Sequence, residues 1–473
     1  MPERRSLAEL ACCVLLLAWL CWLPLPFGSV TDRAQFPLVV GALVICALAA
    51  FARSWGSLAP LEVTRAFKLW LGGGVLFALV VAAQLIPLPN ALLGVLSPES
   101  LRLWSAAERV AQLSGLGTPA GAHPISIDPE VTAVHLFRVL AYIASFLAAA
   151  LLMRRHRHRV ALAFVLGAAA VFETLYGIRE AALHRYAIWG WVNQLIYNRV
   201  TGTFVNPNHF AHYAAIVMPL GVYLSAHAWH DAGSPGMRLR RRIVRLLEKR
   251  LFRFACGAIV VVAGIVAILK AQSRGALVSA LAGFAIAGAA ASGRRHALRR
   301  AALIGLTGVS LVAMIVVLFG LNVSRFQDPE LASLGGRAVP VRAAFVIWRH
   351  FPLLGSGLGT FVEVSSMSGA GGTTHLVNHA HDDYAELAAT TGTIGLLAAL
   401  VPFIGGCIAL ARTTFGKDIE DLTWTRRAYQ AAALTSIAIA AVHALVDFNF
   451  FIPANPATLA AIAGTAAALR ERR

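Results

Sequence analysis

The feature that most constrains this chain is a series of apolar runs, each long enough to cross a bilayer. About 20 apolar residues span the hydrocarbon core of a membrane. Runs of this length are centred near residues 17, 43, 78, 142, 168, 219, 263, 284, 311, 398, 438 and 463. Since 58% of the 473 residues are hydrophobic, no block is left for a soluble domain. We predict an all-α polytopic membrane protein with about twelve transmembrane helices, forming a single integral membrane domain over residues 1–473.

Positive charges alternate between successive connections, and this alternation predicts the orientation of the helices. Lys and Arg accumulate on the cytoplasmic side of membrane proteins. If the N-terminus is cytoplasmic, the even-numbered connections and the two termini together hold 28 of the 41 Lys and Arg residues. We therefore predict that both termini are cytoplasmic. The longest connection on the opposite face is then residues 321–385, a large loop between the ninth and tenth helices.

Several classes of partner are disfavoured by the same composition. The net charge of +18 is explained by arginine-rich cytoplasmic loops, so we expect no nucleic-acid partner. The six cysteines lie in predicted helices without metal-ligand spacing and are interpreted as packing residues. The spacing of His379 and His381 is weak evidence for a metal by itself, and we predict no metal site. The glycines of GSGLGTF follow no strand, so they do not indicate a nucleotide site.

The most polar stretch at a predicted helix end is NHAHDDYAELAATTGTIG, from Asn378 to Gly395. It lies on the face opposite the cytoplasm in the predicted topology. His381 is the candidate general base, because a neutral imidazole accepts a proton near pH 7. The acidic residues close enough in sequence to orient it are Asp382, Asp383 and Glu386.

Two arginines on this face are candidates for binding an anion. Arg274 lies at a membrane edge in QSRGA, where it is either an interface anchor or a clamp for an anionic group. A guanidinium offers a planar fork of donors that suits phosphate. Arg337 precedes residues 338–350, which we predict to form an amphipathic helix on the membrane surface. Arg342 and Arg349 are interpreted as the solvated face of that helix.

Two further motifs belong to the same face. In NPNHF, Asn206 or Asn208 is predicted to cap a helix, and Arg199 and His209 flank that turn. In DFNFFIPAN, Asp447 is expected to cap or bridge helices, or to orient an arginine. Capping does not explain why Arg199 and His209 flank the same turn, and a weak structural cluster is the favoured interpretation of the pair.

Taken in order, these motifs resemble the O-antigen ligase and polymerase family of bacterial membrane glycosyltransferases. The resemblance covers residues 199–456 through GTFVNPNHFAHY, QSRGALVSA, GGRAVPVRAAF, FPLLGSGLGTF, NHAHDDYAEL and VDFNFFIPAN. The ligases of the family carry a His, then Gly after ten intervening residues, then a second Gly three positions on. His381, Gly392 and Gly395 match this pattern. Asp382 departs from it, because ligases usually have Asn, Ser or Gln at that position.

The resemblance implies an enzyme of the bacterial inner membrane whose active site faces the periplasm, with 321–385 as its catalytic loop. The implied donor is a polyprenyl diphosphate-linked glycan, and no cofactor is implied. The acceptor would be a hydroxyl of a glycan, of lipid A core or of another molecule, with membrane lipid around the site. The resemblance makes His381 the catalytic residue, with diphosphate ligands Arg274, Arg337 and Arg199. The supporting residues would be Asp382, Asp383, His379, His209 and Asp447.

Within this family the sequence favours ligase-type transfer in surface polysaccharide biosynthesis only slightly. An O-antigen or exopolysaccharide polymerase and a protein O-oligosaccharyltransferase stay open. A transporter or flippase of lipid-linked glycans is the alternative of another class, but no internal repeat supports it. Aromatic residues on the outer loops offer either sugar-stacking surfaces or an interfacial belt, namely Trp189, Trp191, Tyr197, Trp348 and Tyr384.

Overall fold

The computed structural model describes residues 2–54, 63–116, 120–192, 198–234, 236–292, 335–367, 377–416 and 423–468. Within these ranges the α-helices are α1 Pro2–Trp22, α2 Asp32–Ser54, α3 Arg65–Ala83, α4 Asn90–Leu96, α5 Pro98–Leu113, α6 Pro129–Leu152, α7 His156–Ala182, α8 Pro207–Asp231, α9 Leu239–Lys249, α10 Leu251–Lys270, α11 Arg274–Ser292, α12 Gly335–His350, α13 Phe361–Met367, α14 Asp383–Phe415, α15 Trp424–His443 and α16 Ala454–Ala467. Two antiparallel ribbons pair β1, Leu88–Pro89, with β2, Ala122–His123, and β3, Ala187–Ile188, with β4, Trp191–Val192.

The predicted helical membrane class is confirmed. Eleven of the twelve predicted centres lie within these helices, and the centre near residue 311 lies outside the described residues. Among the described residues, seven helices are long and apolar enough to span a membrane, namely α2, α3, α6, α7, α10, α11 and α14. The chain is therefore a multi-pass membrane protein. The count of twelve and the orientation of the termini stay predictions.

α8 lies in the interior of the helix bundle. Its start is capped as the sequence predicts, because the side chain of Asn206 accepts a hydrogen bond from Asn208 N at 2.9 Å and Pro207 occupies the first helical position. Most residues of α8 are buried, and the helix packs against α7, α10 and α15. A helix that is covered by other helices does not meet lipid, so it accommodates histidines that lipid would not solvate.

α14 is interrupted at Gly392, whose backbone has φ 66° and ψ −176°. The segment that follows α12 docks at this break, where Ile394 N donates to Leu353 O at 3.1 Å. A Cβ on Gly392 would lie 2.2 Å from Leu353 O, and one on Gly355 would lie 2.2 Å from Thr390 O. Only glycine permits these approaches. Gly355 and Gly392 therefore allow close backbone packing at this end of α14, whereas a Cβ on Gly357 or Gly359 would meet the side chains of Ser126 and His135.

The predicted loop 321–385 is described from residue 335 onward, apart from residues 368–376. The helix expected over 338–350 is confirmed within α12, and Arg342 and Arg349 are exposed on it, as the interpretation of a solvated face requires. On its other side, the apolar residues of α12 pack against Phe361 and Ala389. This small core joins the loop to α14. Whether α12 lies on a membrane surface stays a prediction.

The cysteines have the packing role that the sequence predicts. All six are free thiols within helices, and Cys12 and Cys13 of α1 are buried in the main core. The others, Cys21, Cys46, Cys256 and Cys407, are partly buried in α1, α2, α10 and α14. They form neither disulfides nor a group that could bind a metal ion together.

Candidate functional site

Phe448, in the connection between α15 and α16, is the side chain around which the candidate site is built. Its ring stacks on His379 with 4.0 Å between centroids. It forms T-shaped contacts with His209 at 4.5 Å and with His381 at 5.0 Å. The three histidines come from the segment before α14 and from the first turn of α8. Phe448 thus brings together imidazoles that are far apart in the sequence.

Asp447 precedes Phe448 and is fully buried. Its Oδ1 lies 3.5 Å from His381 Nδ1 and 3.6 Å from His209 Nε2. These distances are longer than a hydrogen bond, and Asp447 Oδ2 has no hydrogen-bond partner among the described residues. Burial by itself would raise the pKa of Asp447, but the two imidazoles hold this pKa well below its ordinary value. The side chains that contact Asp447 are histidines, and Phe448 N also donates a hydrogen bond to Asp447 Oδ1 at 3.0 Å, whereas the sequence left open that Asp447 orients an arginine.

His381 has an uncommon backbone conformation, with φ at +53°. Such left-handed backbone is rare outside glycine, and it clusters at active sites and ligand clamps. The next residue, Asp382, is the N-cap of α14, where its Oδ1 accepts hydrogen bonds from Tyr384 N at 2.9 Å and Ala385 N at 3.0 Å. This cap fixes the direction in which the chain enters α14. The side chain of His381 is 35% exposed, so a substrate can reach it.

The acidic residues after His381 have other partners, which differs from the expectation that they orient it. Glu386 is buried and holds the preceding segment at two points, with His379 Nδ1 at 2.8 Å and Ala380 N at 2.8 Å. The carboxylate of Asp383 accepts a hydrogen bond from Phe450 N at 3.2 Å. The reason is that Asp383 and Glu386 lie in the first turn of α14, where their carboxylates are within reach of the backbone N–H groups of Phe450 and Ala380. The carboxylate beside His381 is that of Asp447.

The turn between α10 and α11 brings two predicted arginines to the same end of the bundle as His209. Arg199 Nε donates to Ala271 O at 2.8 Å, and its Nη2 donates to Asn208 Oδ1 at 2.7 Å. Arg199 therefore ties the first turn of α8 to this turn. Arg274 opens α11 and is half-buried. For both residues, contact with a diphosphate stays a prediction.

Gly275 allows the start of α11 to approach the end of α15 closely. A Cβ on Gly275 would lie 2.8 Å from His443 Nε2 and 3.1 Å from Val446 Cγ2. Gly275 and Val446 are the chain neighbours of Arg274 and Asp447, so this approach brings the arginine turn to the histidine cluster. His443 Nδ1 also lies 2.9 Å from the buried Nδ1 of His212. The sequence interpretation missed this pair, because no local spacing relates α8 to α15.

A cavity of about 840 Å³ lies beside the cluster. His379, His209 and Asn206 line it from one side, and Trp191 of β4 lines it from another element. Two further lining residues are His135 and Arg138 of α6, which the sequence interpretation did not single out. An ionisable residue inside a predicted membrane span is the signal that would have found Arg138.

The structure describes most of the predicted aromatic residues, but of Arg337 it describes only the backbone. Arg337 belongs to the first turn of α12, but its side chain and the whole of Tyr197 lie outside the described residues. Trp189 and Trp191 are exposed at the β3–β4 ribbon. Trp348 and Tyr384 donate hydrogen bonds to groups of α14 and α15. The β3–β4 ribbon therefore carries the more accessible aromatic surface.

His379 and His381 face different carboxylates. The Nδ1 of His379 pairs with Glu386, whereas the Nδ1 of His381 faces Asp447. Among the described residues, no group of three or more His, Cys, Asp or Glu side chains is arranged to hold a metal ion. The arrangement is that of two separate carboxylate–imidazole pairs. Pairs of this kind fix which imidazole nitrogen carries the proton.

Part of the chain resembles a known protein family. Residues 259–400 match the family model described as O-antigen ligase. No curated protein matches the chain. The matched segment contains Arg274, Arg337, His379, His381, Asp382 and Asp383, whereas Arg199, His209 and Asp447 lie outside it. The match supports the O-antigen ligase family for this chain and suggests an enzyme of the glycosyltransferase type.

Proposed function

We propose, from the premise that this chain is of the O-antigen ligase family, that it transfers a glycan from a polyprenyl diphosphate carrier to an acceptor hydroxyl. The observation that carries the proposal is the pairing of His381 with the buried Asp447 beside a cavity of about 840 Å³. The acceptor is a hydroxyl of a glycan, of lipid A core or of another surface molecule. This scheme requires no metal and no nucleotide sugar.

The chemical step is a displacement at the anomeric carbon. The acceptor hydroxyl gives its proton to His381 Nε2 while its oxygen bonds to the anomeric carbon. The bond from that carbon to the diphosphate oxygen breaks, and polyprenyl diphosphate leaves with the electron pair. Because Asp447 faces Nδ1, it favours the tautomer with a proton on Nδ1 and leaves Nε2 as the acceptor. The distance of 3.5 Å between His381 Nδ1 and Asp447 Oδ1 can shorten on substrate binding, as catalytic hydrogen bonds often do.

Arginines supply the charge that the leaving diphosphate requires. Arg274 and Arg337 bind the diphosphate directly through the planar fork of the guanidinium. Arg199, which already holds the α10–α11 turn, keeps Arg274 in position and adds positive charge nearby. Glu386 and Asp382 fix the backbone on either side of His381, so that the base and the arginines face one substrate.

The same proposal requires a defined orientation in the bacterial inner membrane. The active site faces the periplasm, both termini are cytoplasmic, and residues 321–385 form the catalytic loop. Single cysteines at positions 120, 195, 350 and 375 should react with an impermeant thiol reagent from outside. Cysteines at 156, 245, 297 and 420 should react only after the membrane is permeabilised. Labelling of position 375 only after permeabilisation would reject the orientation and the periplasmic site together.

The identity of the acceptor is tested by supplying one substrate at a time. The ligase hypothesis predicts that purified protein given one lipid-linked repeat unit, and no other acceptor, makes no chains. Adding lipid A core should then give a single transfer product, which is absent with His381→Ala. A ladder of lengthening products from the repeat unit alone would replace the ligase hypothesis with a polymerase and keep the glycosyltransferase proposal.

A further inference from the structure

Arg138 is a half-buried arginine within the membrane-spanning helix α6. It follows the start of that helix at Pro129 by nine positions, about 14 Å along the axis. Its Nε donates to Gln35 Oε1 at 2.8 Å, and its Nη1 lies 3.4 Å from His135 Nε2. Among the described residues, no ion pair includes Arg138, although the carboxylate of Asp32 at the start of α2 lies near enough to interact with its charge. An arginine at such depth is costly unless it serves a partner.

Two cavities of different character meet at Arg138. The first is the cavity of about 840 Å³ that His379 and His209 also line. The second has a volume of about 360 Å³ and is lined mainly by apolar side chains of α3, α6, α14 and α16. His135, Arg138 and Phe451 line both. Along α6 the apolar cavity continues from Arg138 to Phe146, about 12 Å further along the helix.

This arrangement matches the shape and polarity of one kind of molecule. The polar cavity beside the histidines would take a sugar, the apolar cavity would take a hydrocarbon chain, and the arginine at their junction would take an anion. A polyprenyl diphosphate-linked glycan has these three parts in this order. No neutral lipid would use the cation, and no soluble glycan would use the apolar cavity.

We propose that Arg138, assisted by His135, binds the phosphate next to the prenyl chain, and that the apolar cavity between α3, α6, α14 and α16 holds the first part of that chain. This inference rests on the proposed function, because it assigns a binding position to the same donor. Arg138 is then a binding residue separate from Arg274 and Arg337, and it is contributed by a helix outside the family match.

A structural role for Arg138 is the competing explanation. The bond from Arg138 to Gln35 joins α6 to α2. Yet Gln35 is itself held by the carbonyls of Ser29 and Thr31, which accept from its Nε2 at 3.0 and 3.3 Å. An amide fixed in this way orients the guanidinium. Contact between two helices does not require a charged side chain. Binding of an anion explains why an arginine lines both cavities.

Equilibrium binding by the purified full-length protein in lipid nanodiscs tests the inference. The probes are a polyprenyl diphosphate without glycan, the corresponding polyprenol and inorganic diphosphate. Arg138→Gln should weaken binding of polyprenyl diphosphate about tenfold or more, with polyprenol within about twofold of wild type. Arg138→Lys should give an intermediate loss for polyprenyl diphosphate. Val139→Phe, which fills the apolar cavity, should weaken both prenyl ligands and spare inorganic diphosphate.

Arg179→Gln is the matched control, because Arg179 lies outside both cavities and pairs with Glu180. It should bind all three probes as wild type does. If Arg138→Gln binds polyprenyl diphosphate within about twofold of wild type, or loses both prenyl ligands equally, the inference is wrong. If Arg138→Gln does not fold, Arg138→Lys decides: the inference is then wrong if this variant binds polyprenyl diphosphate within about twofold of wild type or loses both prenyl ligands equally. Failure of the wild-type protein to bind polyprenyl diphosphate would instead reject the proposed function.

Discussion

The two ends of α8 carry two clusters of histidine, aspartate and aromatic side chains that are built differently. The Asp447 cluster consists of His209, His379, His381, Asp447 and Phe448. The Asp231 cluster consists of His227, His230, Asp231, Arg253 and Trp424. His209 and His227 are eighteen positions apart on α8, which corresponds to about 27 Å. That distance is close to the hydrocarbon thickness of a bilayer.

In the Asp231 cluster the charges are compensated by protein partners. Arg253 Nη1 donates to Asp231 Oδ2 at 3.1 Å and lies 2.6 Å from His227 Nδ1. The ring of His230 stacks on Trp424 with 4.2 Å between centroids. Asp231 is 26% exposed, so water also solvates its charge. Such a cluster fastens α8 to α10 and α15. Its histidines already contact protein partners, namely Arg253 and Trp424.

In the Asp447 cluster the carboxylate is fully buried, and its described contacts to side chains are with imidazoles at 3.5 and 3.6 Å. The imidazoles around Asp447 lie beyond ordinary hydrogen-bond distance, whereas Arg253 contacts Asp231 directly at 3.1 Å. The protein retains the Asp447 carboxylate beside a cavity that His209, His379 and Phe448 of the same cluster line. The comparison teaches that composition alone does not identify the active end of this helix. The identifying features are the adjacent cavity and the fact that, in the part of the chain that the structure describes, no arginine or lysine pairs with Asp447.

The largest expected difference between the two clusters comes from removing the proposed base. His381→Ala should lower the rate of glycan transfer by about 10²–10⁴-fold, because it removes general base catalysis. His230→Ala, at the other end of α8, should transfer glycan at a rate close to that of wild type. Transfer from a lipid-linked donor is measured with purified proteins whose folding is checked by gel filtration. Near-normal product from His381→Ala would make His379 or His209 the next candidate base.

The second expected difference concerns the arginines. Arg274→Lys and Arg337→Lys should each lower kcat/KM for the donor by about a hundredfold, because a point charge does not reproduce a planar two-point grip. Arg253→Lys keeps the charge of the Asp231 cluster and should leave kcat/KM unchanged. Steady-state kinetics with varied donor concentration measure the effect. Normal transfer by both lysine variants would make these arginines interface anchors.

A smaller effect is expected when Asp447 is changed, because it acts through the histidines. Asp447→Asn should lower kcat by about 10–100-fold and change KM little, since loss of an orienting partner typically costs this much. Asp447→Glu should restore part of the rate if the charge is what matters. A stability defect alone would not produce this split between kcat and KM.

The same variant has a pH-dependent signature in stability. Because the folded pKa of Asp447 lies well below its ordinary value, its ionised form stabilises the fold above the ordinary aspartate pKa of about 3.9. This contribution is lost as pH falls through the folded pKa. The difference in Tm between wild type and Asp447→Asn should therefore be constant from about pH 8 to pH 5 and narrow below about pH 4. A difference that instead grows on acidification would contradict an ionised Asp447.

The smallest expected effect is at the Asp231 cluster. Asp231→Asn should lower the free energy of unfolding by about 0.5–1 kcal/mol, because the ion pair with Arg253 is partly exposed. Glycan transfer at a permissive temperature should be unchanged. Thermal unfolding and the transfer assay measure the two quantities on the same preparation. A transfer defect larger than that of Asp447→Asn would reverse the assignment of the two ends.

The sequence by itself determined the features that depend on neighbouring residues. Apolar runs located eleven described helices, because burial in lipid requires apolar length that can be counted along the chain. Asn206 was expected as one of two possible caps, and a helix cap is a contact between residues two or three positions apart. The stretch from Asn378 to Gly395 stood out because it concentrates ionisable groups at a helix end. Its glycine spacing also carried the family resemblance.

Only the tertiary structure decided which groups meet. The carboxylates next to His381 in sequence turned to the backbone of α14 and its neighbours, and Asp447, from a distant connection, became its partner. Spacing along the chain does not say which connections lie side by side, because that depends on how α8, α14 and α15 pack. For the same reason Phe448 and Arg138 acquired importance only once their neighbours were known. Helix starts and membrane spans follow from contacts within one segment, whereas a site at the convergence of several helix ends follows from packing between segments.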